Sequence, residues 1–200
     1  MILTIGRQHG SNGHAVAQAL ADQFSIPCYS KAIVDHTARD SNLSPEVVRS
    51  YDEKRVSPFV SPGMQFLGMD EGFRLNMQIA SAQFDTIRRL ASEGDAVFVG
   101  RCADYVLRKR SDLVRVFITA DYDYRVRSMM ERKNLREDQA KKLVKTVDKD
   151  RGSYYRYYTD QSWGDVNCYD LCINVAKVGV EGAVDTILSY LEAIKKEKMK

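Results

Sequence analysis

Gly6-Arg7-Gln8-His9-Gly10-Ser11-Asn12-Gly13-His14 packs three glycines, an arginine and two histidines into nine residues. Glycines let successive backbone N–H groups turn inward on an oxyanion. A helix starting just beyond adds its partial positive charge. The chemistry of such a loop is phosphate binding, with Gly10, Ser11, Asn12, Gly13 and His14 as the cradle. The complete phosphate-loop signature is G-x-x-x-x-G-K-[S/T], and this chain contains no Gly-Lys pair. Any side-chain cation must come from Arg7 or His14. Ala15 offers no hydroxyl to magnesium, and Ser11 is the nearest one. Taken alone, the same residues also make a plain turn between a strand and a helix.

Arginine is the second signal. Its planar fork binds phosphate through two bonds and stays charged. Arg101 follows the apolar run Ala96–Val99 and Gly100, and is the leading candidate; the competing reading is an ion pair with Asp104 or another carboxylate. Arg151 and Arg156 share a helical segment with Lys145, Asp148 and Lys149, which fits a solvated face or a lid that is exposed until ligand closes it. Tyr154-Tyr155-Arg156-Tyr157-Tyr158 places aromatics beside an arginine, an arrangement that stacks bases, or that packs a helix on a core. Trp163 is a further stacking candidate. Asp104 and Asp165 are candidates for holding magnesium or a ribose. His9, His14 and His36 have no metal-ligand spacing, and Cys168 and Cys172 fall on alternate faces of a strand, so no metal site is expected.

The elements that position these residues follow from the apolar pattern. Residues 2–5 read as a buried strand, and Val16, Ala17, Leu20, Ala21 and Phe24 recur at helical spacing. Residues 26–29 read as a second strand, followed by a helix around Ile33–Thr37. Ser44-Pro45-Glu46 is a helix start, with serine as cap and proline in the first turn. Residues 55–68 read as a loop. Phe73, Met77, Ala80, Phe84, Ile87 and Leu90 mark a long helix. Strands are expected at 96–99, 114–119 and 171–175, and helices at about 121–133, 136–156 and 180–196. Short continuous apolar strands alternating with helices indicate a parallel sheet covered on both faces. Ligands then sit beyond the carboxyl ends of the strands, which gathers residues 6–14, Arg101 and Thr119 around one crevice.

Composition narrows the class. The 200 residues are 44% hydrophobic and 28% charged, which excludes disordered and collagen-like chains. No apolar run approaches a membrane span and no export signal opens the chain, so a cytoplasmic protein with reduced thiols is expected. The net charge is +3, yet residues 101–156 carry 16 Lys+Arg against 9 Asp+Glu. A basic segment in a nearly neutral chain suits a local anionic ligand better than a nucleic-acid coat.

With these features in view the sequence resembles the cytidylate kinase-like family, within the P-loop nucleoside monophosphate kinases. The resemblance runs over nearly the whole chain. It is carried by Gly10-Ser11-Asn12-Gly13-His14, Ile26-Pro27-Cys28-Tyr29 with Lys31, Val99-Gly100-Arg101-Cys102-Ala103-Asp104-Tyr105, Tyr124-Arg125-Val126, Asp148-Lys149-Asp150-Arg151, Trp163-Gly164-Asp165 and Tyr169-Asp170-Leu171-Cys172-Ile173-Asn174. It implies a three-layer α/β P-loop fold with a five-stranded parallel core in one domain. The core is residues 1–30, 93–133 and 166–200; a helical acceptor-binding insert is about 31–92 and a helical lid about 134–165. It implies ATP and Mg2+ as cofactors and a small acceptor, a pyrimidine nucleoside monophosphate such as CMP or dCMP. Arg101, Lys31 and Asp104 would then face the acceptor. Arg125, Arg151 and Arg156, with Arg127 nearby, would neutralise charge during transfer, and His14 is the substitute for the missing lysine. Ser30 stands where many relatives carry an acid, and the strand at 96–99 ends without one. Two other readings remain: a nucleotide-binding regulator that has lost turnover, and an RNA-binding protein using the Tyr/Arg run.

Overall fold

A computed structural model describes residues 1–54 and 71–198. The loop read at 55–68 lies outside the described residues. The chain runs β1 (Ile2–Arg7), α1 (Gly13–Phe24), β2 (Cys28–Tyr29), α2 (Ala32–Ser41), α3 (Pro45–Tyr51), α4 (Glu71–Glu93), β3 (Ala96–Val99), α5 (Ala103–Val106), β4 (Leu113–Thr119), α6 (Tyr122–Lys133), α7 (Glu137–Thr159), a 3-10 turn (Val166–Cys168), β5 (Leu171–Asn174) and α8 (Val175–Lys198).

The five strands form one parallel sheet in the order β2-β3-β1-β4-β5. β1 lies at the centre, so Ile2, Leu3 and Ile5 are fully buried. One face packs against α1 and α8 through Leu3, Ile5, Val16, Leu20, Val97, Ile118 and Ile187. The other packs against α2 and α4 through Ile2, Ile33, Ile87, Leu90 and Phe98. These two apolar layers make the expected three-layer α/β architecture. Each fully buried aliphatic side chain contributes roughly 1.5–3 kcal/mol.

Local chemistry explains where boundaries differ from the expectation. β2 starts at Cys28 rather than Ile26, because Pro27 has no N–H to give the ladder; its carbonyl still accepts from Val97 N–H at 2.9 Å. The last helix begins at Val175 but is broken at Gly179, whose φ of 72° is left-handed. The helix expected at 180–196 is the part beyond that break. α5 spans only 4 residues, too few to show a helical period.

Candidate active site

The carboxyl ends of β1, β3 and β4 frame the crevice. Gly10 takes φ 84°, and a Cβ there would lie 2.7 Å from the Arg125 carbonyl, so the loop runs tight against the start of α6. Asn12, at φ 58°, leads into α1 without capping it. Its side chain instead donates to the Tyr124 hydroxyl at 3.0 Å and accepts from Arg132 at 3.2 Å. The first-turn N–H groups of α1 are thus left uncapped by any side chain, as an anion-binding helix start requires.

Three loop residues are placed differently from the expectation. The Ser11 hydroxyl is fully buried and turns into the sheet, toward the carbonyls of Gln8 at 2.9 Å and Ile118 at 3.1 Å. It is a structural tie rather than a magnesium hydroxyl. Gly13 is required by packing: a Cβ would meet the Arg7 Cβ at 2.5 Å and the Ile118 Cβ at 3.3 Å. His14 lies exposed on the first turn of α1. Partial burial, then the charges of Arg7, Lys31, Arg132 and Arg101, hold its pKa below the ordinary value. It is therefore largely neutral at pH 7. His9 is pushed further, down to about 4, by burial and then by Arg151, Lys133, Arg7 and Arg132. Both imidazoles report a strongly positive crevice.

Four arginines from four parts of the chain converge on the crevice. Arg7, at the end of β1, is paired in two parallel bonds with Glu53, at 2.6 and 2.8 Å. It is not free to reach a ligand at the glycine loop in this state. Arg101, after β3, is 4% exposed and donates to Asp52 at 2.9 and 2.6 Å and to the Val99 carbonyl at 2.9 Å. Its partner is Asp52, not Asp104. Burial disfavours its charge, but Asp52 and Glu53 outweigh that and raise its pKa. Arg151, from α7, donates to Glu53 at 3.2 Å and to the Arg7 carbonyl at 3.1 Å. Arg125, from α6, donates to the Ala120 carbonyl at 3.1 Å and pairs with Asp148. Asp148 also accepts from the His9 N–H at 2.7 Å, so a carboxylate from α7 already sits against the glycine loop.

The remaining candidates lie outside this cluster. Lys31 and Arg127 are exposed. Arg156 is exposed beside Trp163, Lys149 and Ser162 in an open hollow along α7. Asp104 is buried, and burial raises its pKa; it accepts from the Tyr155 hydroxyl at 2.7 Å. Asp165 caps the 3-10 turn through the Asn167 N–H at 3.0 Å. In the Tyr/Arg run, Tyr154 and Tyr155 are buried, and Tyr157 and Tyr158 pack edge-on against Phe73 and Phe84. Those rings hold α7 to the core and α4, leaving Arg156 as the exposed member.

Sequence reasoning missed Asp52, Glu53 and Asp148 as members of the site. The only available signal for the first two was an acidic pair directly after a helix. The cavity between Glu53, Arg101, Arg151 and Tyr154 is about 20 Å³, room for about one water molecule. The groups around the uncapped start of α1 fit nucleotide phosphates. Among the described residues no three metal-ligating side chains cluster. No described helix is long and apolar enough to cross a membrane.

Known proteins share this architecture. A cytidylate kinase of Haloarcula marismortui is 24% identical over 96% of this chain and 90% of its own length. One from Methanocaldococcus jannaschii is also 24% identical, over 98% of this chain and its full length. A solved structure from Eubacterium ventriosum superposes with a TM-score of 0.75 at 32% identity, covering 96% of this chain and 98% of that one. A shikimate kinase from Bacteroides thetaiotaomicron has a TM-score of 0.57 at 10% identity over 96% of this chain and 98% of its own, which shows a common P-loop kinase fold. The sequence model of the cytidylate kinase-like family matches residues 2–177, and a match of that extent, on a sheet of this strand order, makes the chain a member of that family.

Proposed function

We propose that this chain is a cytoplasmic, ATP-dependent phosphotransferase acting on a pyrimidine nucleoside monophosphate, CMP or dCMP. The carrying observation is the convergence of Arg7, Arg101, Arg125 and Arg151 on the strand ends beside the uncapped start of α1. Phosphoryl transfer demands this: positive charge around crowded phosphate oxygens, and little covalent chemistry from the protein. The relatives named cytidylate kinase, though only 24% identical, favour a pyrimidine nucleotide as acceptor.

In this reading the N–H groups of Gly10–His14 hold the donor phosphates, and magnesium with ATP supplies the activated phosphoryl group. Arg7 takes the acceptor phosphate, Arg151 bridges that phosphate and the phosphoryl group in transfer, and the Asp52-anchored Arg101 positions the floor beneath them. Arg125 and Arg156 add charge on the donor side. Residues 31–92 serve as acceptor insert and 134–165 as lid. The small cavity requires both to open for nucleotide to enter. A second reading, a nucleotide-binding regulator without turnover, is favoured by one observation: no Walker lysine is present and the Ser11 hydroxyl is committed to main-chain carbonyls.

The experiment is a coupled assay with ATP and Mg2+ over CMP, dCMP, UMP, AMP, GMP and small hydroxyl acceptors. Turnover confined to CMP and dCMP is the expected result. Tight ATP binding with transfer to no acceptor would establish the regulator instead. Salt-dependent binding of mixed oligonucleotides without response to nucleotides would overturn both.

A further inference from the structure

The Glu53 side chain makes the contacts that a phosphate group makes. Its two oxygens accept four hydrogen bonds. Oε1 takes one from Arg7 Nη1 at 2.6 Å and one from the Arg101 N–H at 3.1 Å. Oε2 takes one from Arg7 Nη2 at 2.8 Å and one from Arg151 Nε at 3.2 Å. These donors come from the end of β1, the turn after β3 and the lid helix α7, at the crevice that the glycine loop borders. A bidentate fork, a second guanidinium and a backbone N–H form a built oxyanion site.

The backbone is strained to deliver this carboxylate. Glu53 follows α3 by two residues and takes φ 50°. A side-chain-bearing residue there costs on the order of 1 kcal/mol or more. Gly100 has φ 75°, and a Cβ on it would run into both Glu53 and Arg7, so the floor beneath the pair must be bare backbone. Burial opposes a charge on Glu53, yet Arg7, Arg151 and Arg101 outweigh it and hold the carboxyl well below its ordinary range. It is fully ionised at neutral pH.

The charge count points the same way. Three guanidiniums, of Arg7, Arg101 and Arg151, meet two carboxylates, of Asp52 and Glu53. The cluster as it stands has one positive charge in excess. Withdrawing Glu53 leaves two, which matches a phosphate monoester at about −1.5 to −2 near pH 7. A neutral group offers less charge than the carboxylate it would replace and a singly charged one only the same, whereas a dianion offers more.

We propose that Glu53 is a built-in phosphate surrogate: it fills the acceptor's anion site in the empty protein, latches insert and lid together, and is displaced only by a ligand bearing a phosphate dianion. This rests on the kinase reading for the identity of the ligand, but not for the latch. Empty, the cluster keeps a single positive charge in excess and Glu53 holds the segment to Arg7 and Arg151. Phosphate enters as Glu53 leaves, and the insert segment 44–53 is released from the strand ends.

The test uses inorganic phosphate as probe, at pH 7.5, on the whole chain. Glu53→Gln keeps the shape and removes the charge. Calorimetry should show it binding phosphate about tenfold or more tightly than the wild type, and Arg7→Gln added to it should remove the gain, placing the anion at this site rather than on the glycine loop. Equal or weaker binding by Glu53→Gln, or none by about 50 mM phosphate, overturns the proposal. Should that variant fold poorly, hydrogen exchange on the wild type decides. Saturating phosphate should speed amide exchange across residues 44–53; unchanged or slower exchange there overturns the latch. Neither measurement involves phosphoryl transfer. A chain that phosphorylates no acceptor would end the kinase reading and leave the latch intact, and the converse holds equally.

Discussion

Asp52 grips Arg101 in a side-on pair, Oδ1 2.9 Å from Nε and Oδ2 2.6 Å from Nη2, while the third donor nitrogen, Nη1, binds the Val99 carbonyl. The guanidinium is a structural bolt between the end of α3 and the end of β3. Removing one partner of a buried pair leaves the other uncompensated, at a cost of about 3–5 kcal/mol. Arg101→Ala should therefore lose about 3 kcal/mol of stability in denaturant titration. Lysine should restore less than half of this, because it lacks the fork. A double-mutant cycle with Asp52→Asn should return a large coupling. If Arg101→Ala unfolds at the wild-type midpoint, the bolt is not real and Arg101 is free to serve the acceptor alone.

That pair marks the limit of what the sequence discloses. The strands at 2–5 and 96–99 and the helix carrying Phe73–Leu90 were legible because burial on both sheet faces, or on one helix face, imposes a repeating apolar pattern. Arg101 was legible as an arginine at a strand's carboxyl end. Its partner was not: Asp52 lies 49 residues away in sequence, and no periodic pattern says which carboxylate the fold brings to this guanidinium. Glu53 and Asp148 were hidden for the same reason. A single acid in a charged stretch acquires a role only when the fold carries it onto a particular guanidinium. The inward turn of the Ser11 hydroxyl was equally invisible, being set by the position of the Ile118 carbonyl on another strand.

Gly13 gives a prediction that reverses the simplest sequence argument. A glycine of a phosphate cradle suggests that a side chain there would simply fill the anion's space. The Cβ points instead at Arg7 and Ile118. Overpacking a filled site costs typically about 1–3 kcal/mol, and more when backbone must move. Gly13→Val should lower the melting temperature clearly, and Gly13→Ala less, with or without ATP. A Gly13→Val protein that melts like the wild type but binds no ATP would restore the original argument.

His9 predicts the direction of acid sensitivity. Its folded pKa is depressed to about 4 by burial and by Arg151, Lys133, Arg7 and Arg132, against about 6.5 in an unfolded chain. Between those values the unfolded state binds the proton and the folded state does not. Stability therefore rises with pH through that window and is lost as pH falls from about 6.5 toward 4. His14, shifted the same way, adds to the slope. Replacing His9 by Gln should flatten melting temperature against pH between about 5 and 6.5, above the range where ordinary carboxylates titrate. An unchanged slope in that variant would mean that His9 is protonated or exposed in the folded protein.

Arg151 separates the chemistry of α7 from its packing. Tyr154 and Tyr155 already fix α7 to the core by burial, so the fold does not depend on the guanidinium three residues earlier. Its bonds are to the Arg7 carbonyl and to Glu53, the carboxylate that a phosphate is proposed to displace. Arg151→Ala should then leave stability nearly unchanged, since Glu53 retains both bonds to Arg7. Loss of one preorganised charge donor costs about 10²–10³ in kcat in comparable sites, and a reduction of that order is expected with ATP and CMP, larger than the change in either KM. Burial, followed by repulsion from Arg7, brings the Arg151 pKa down to about 10. The charge is present at neutral pH and is lost as pH rises through that value. For the free enzyme, kcat/KM should accordingly fall on the alkaline side in the wild type, and this limb should vanish from the residual activity of Arg151→Ala. A variant with less than about a tenfold loss in kcat and an unaltered alkaline limb would remove Arg151 from the transfer step and leave Arg125 and Arg156 to supply the charge.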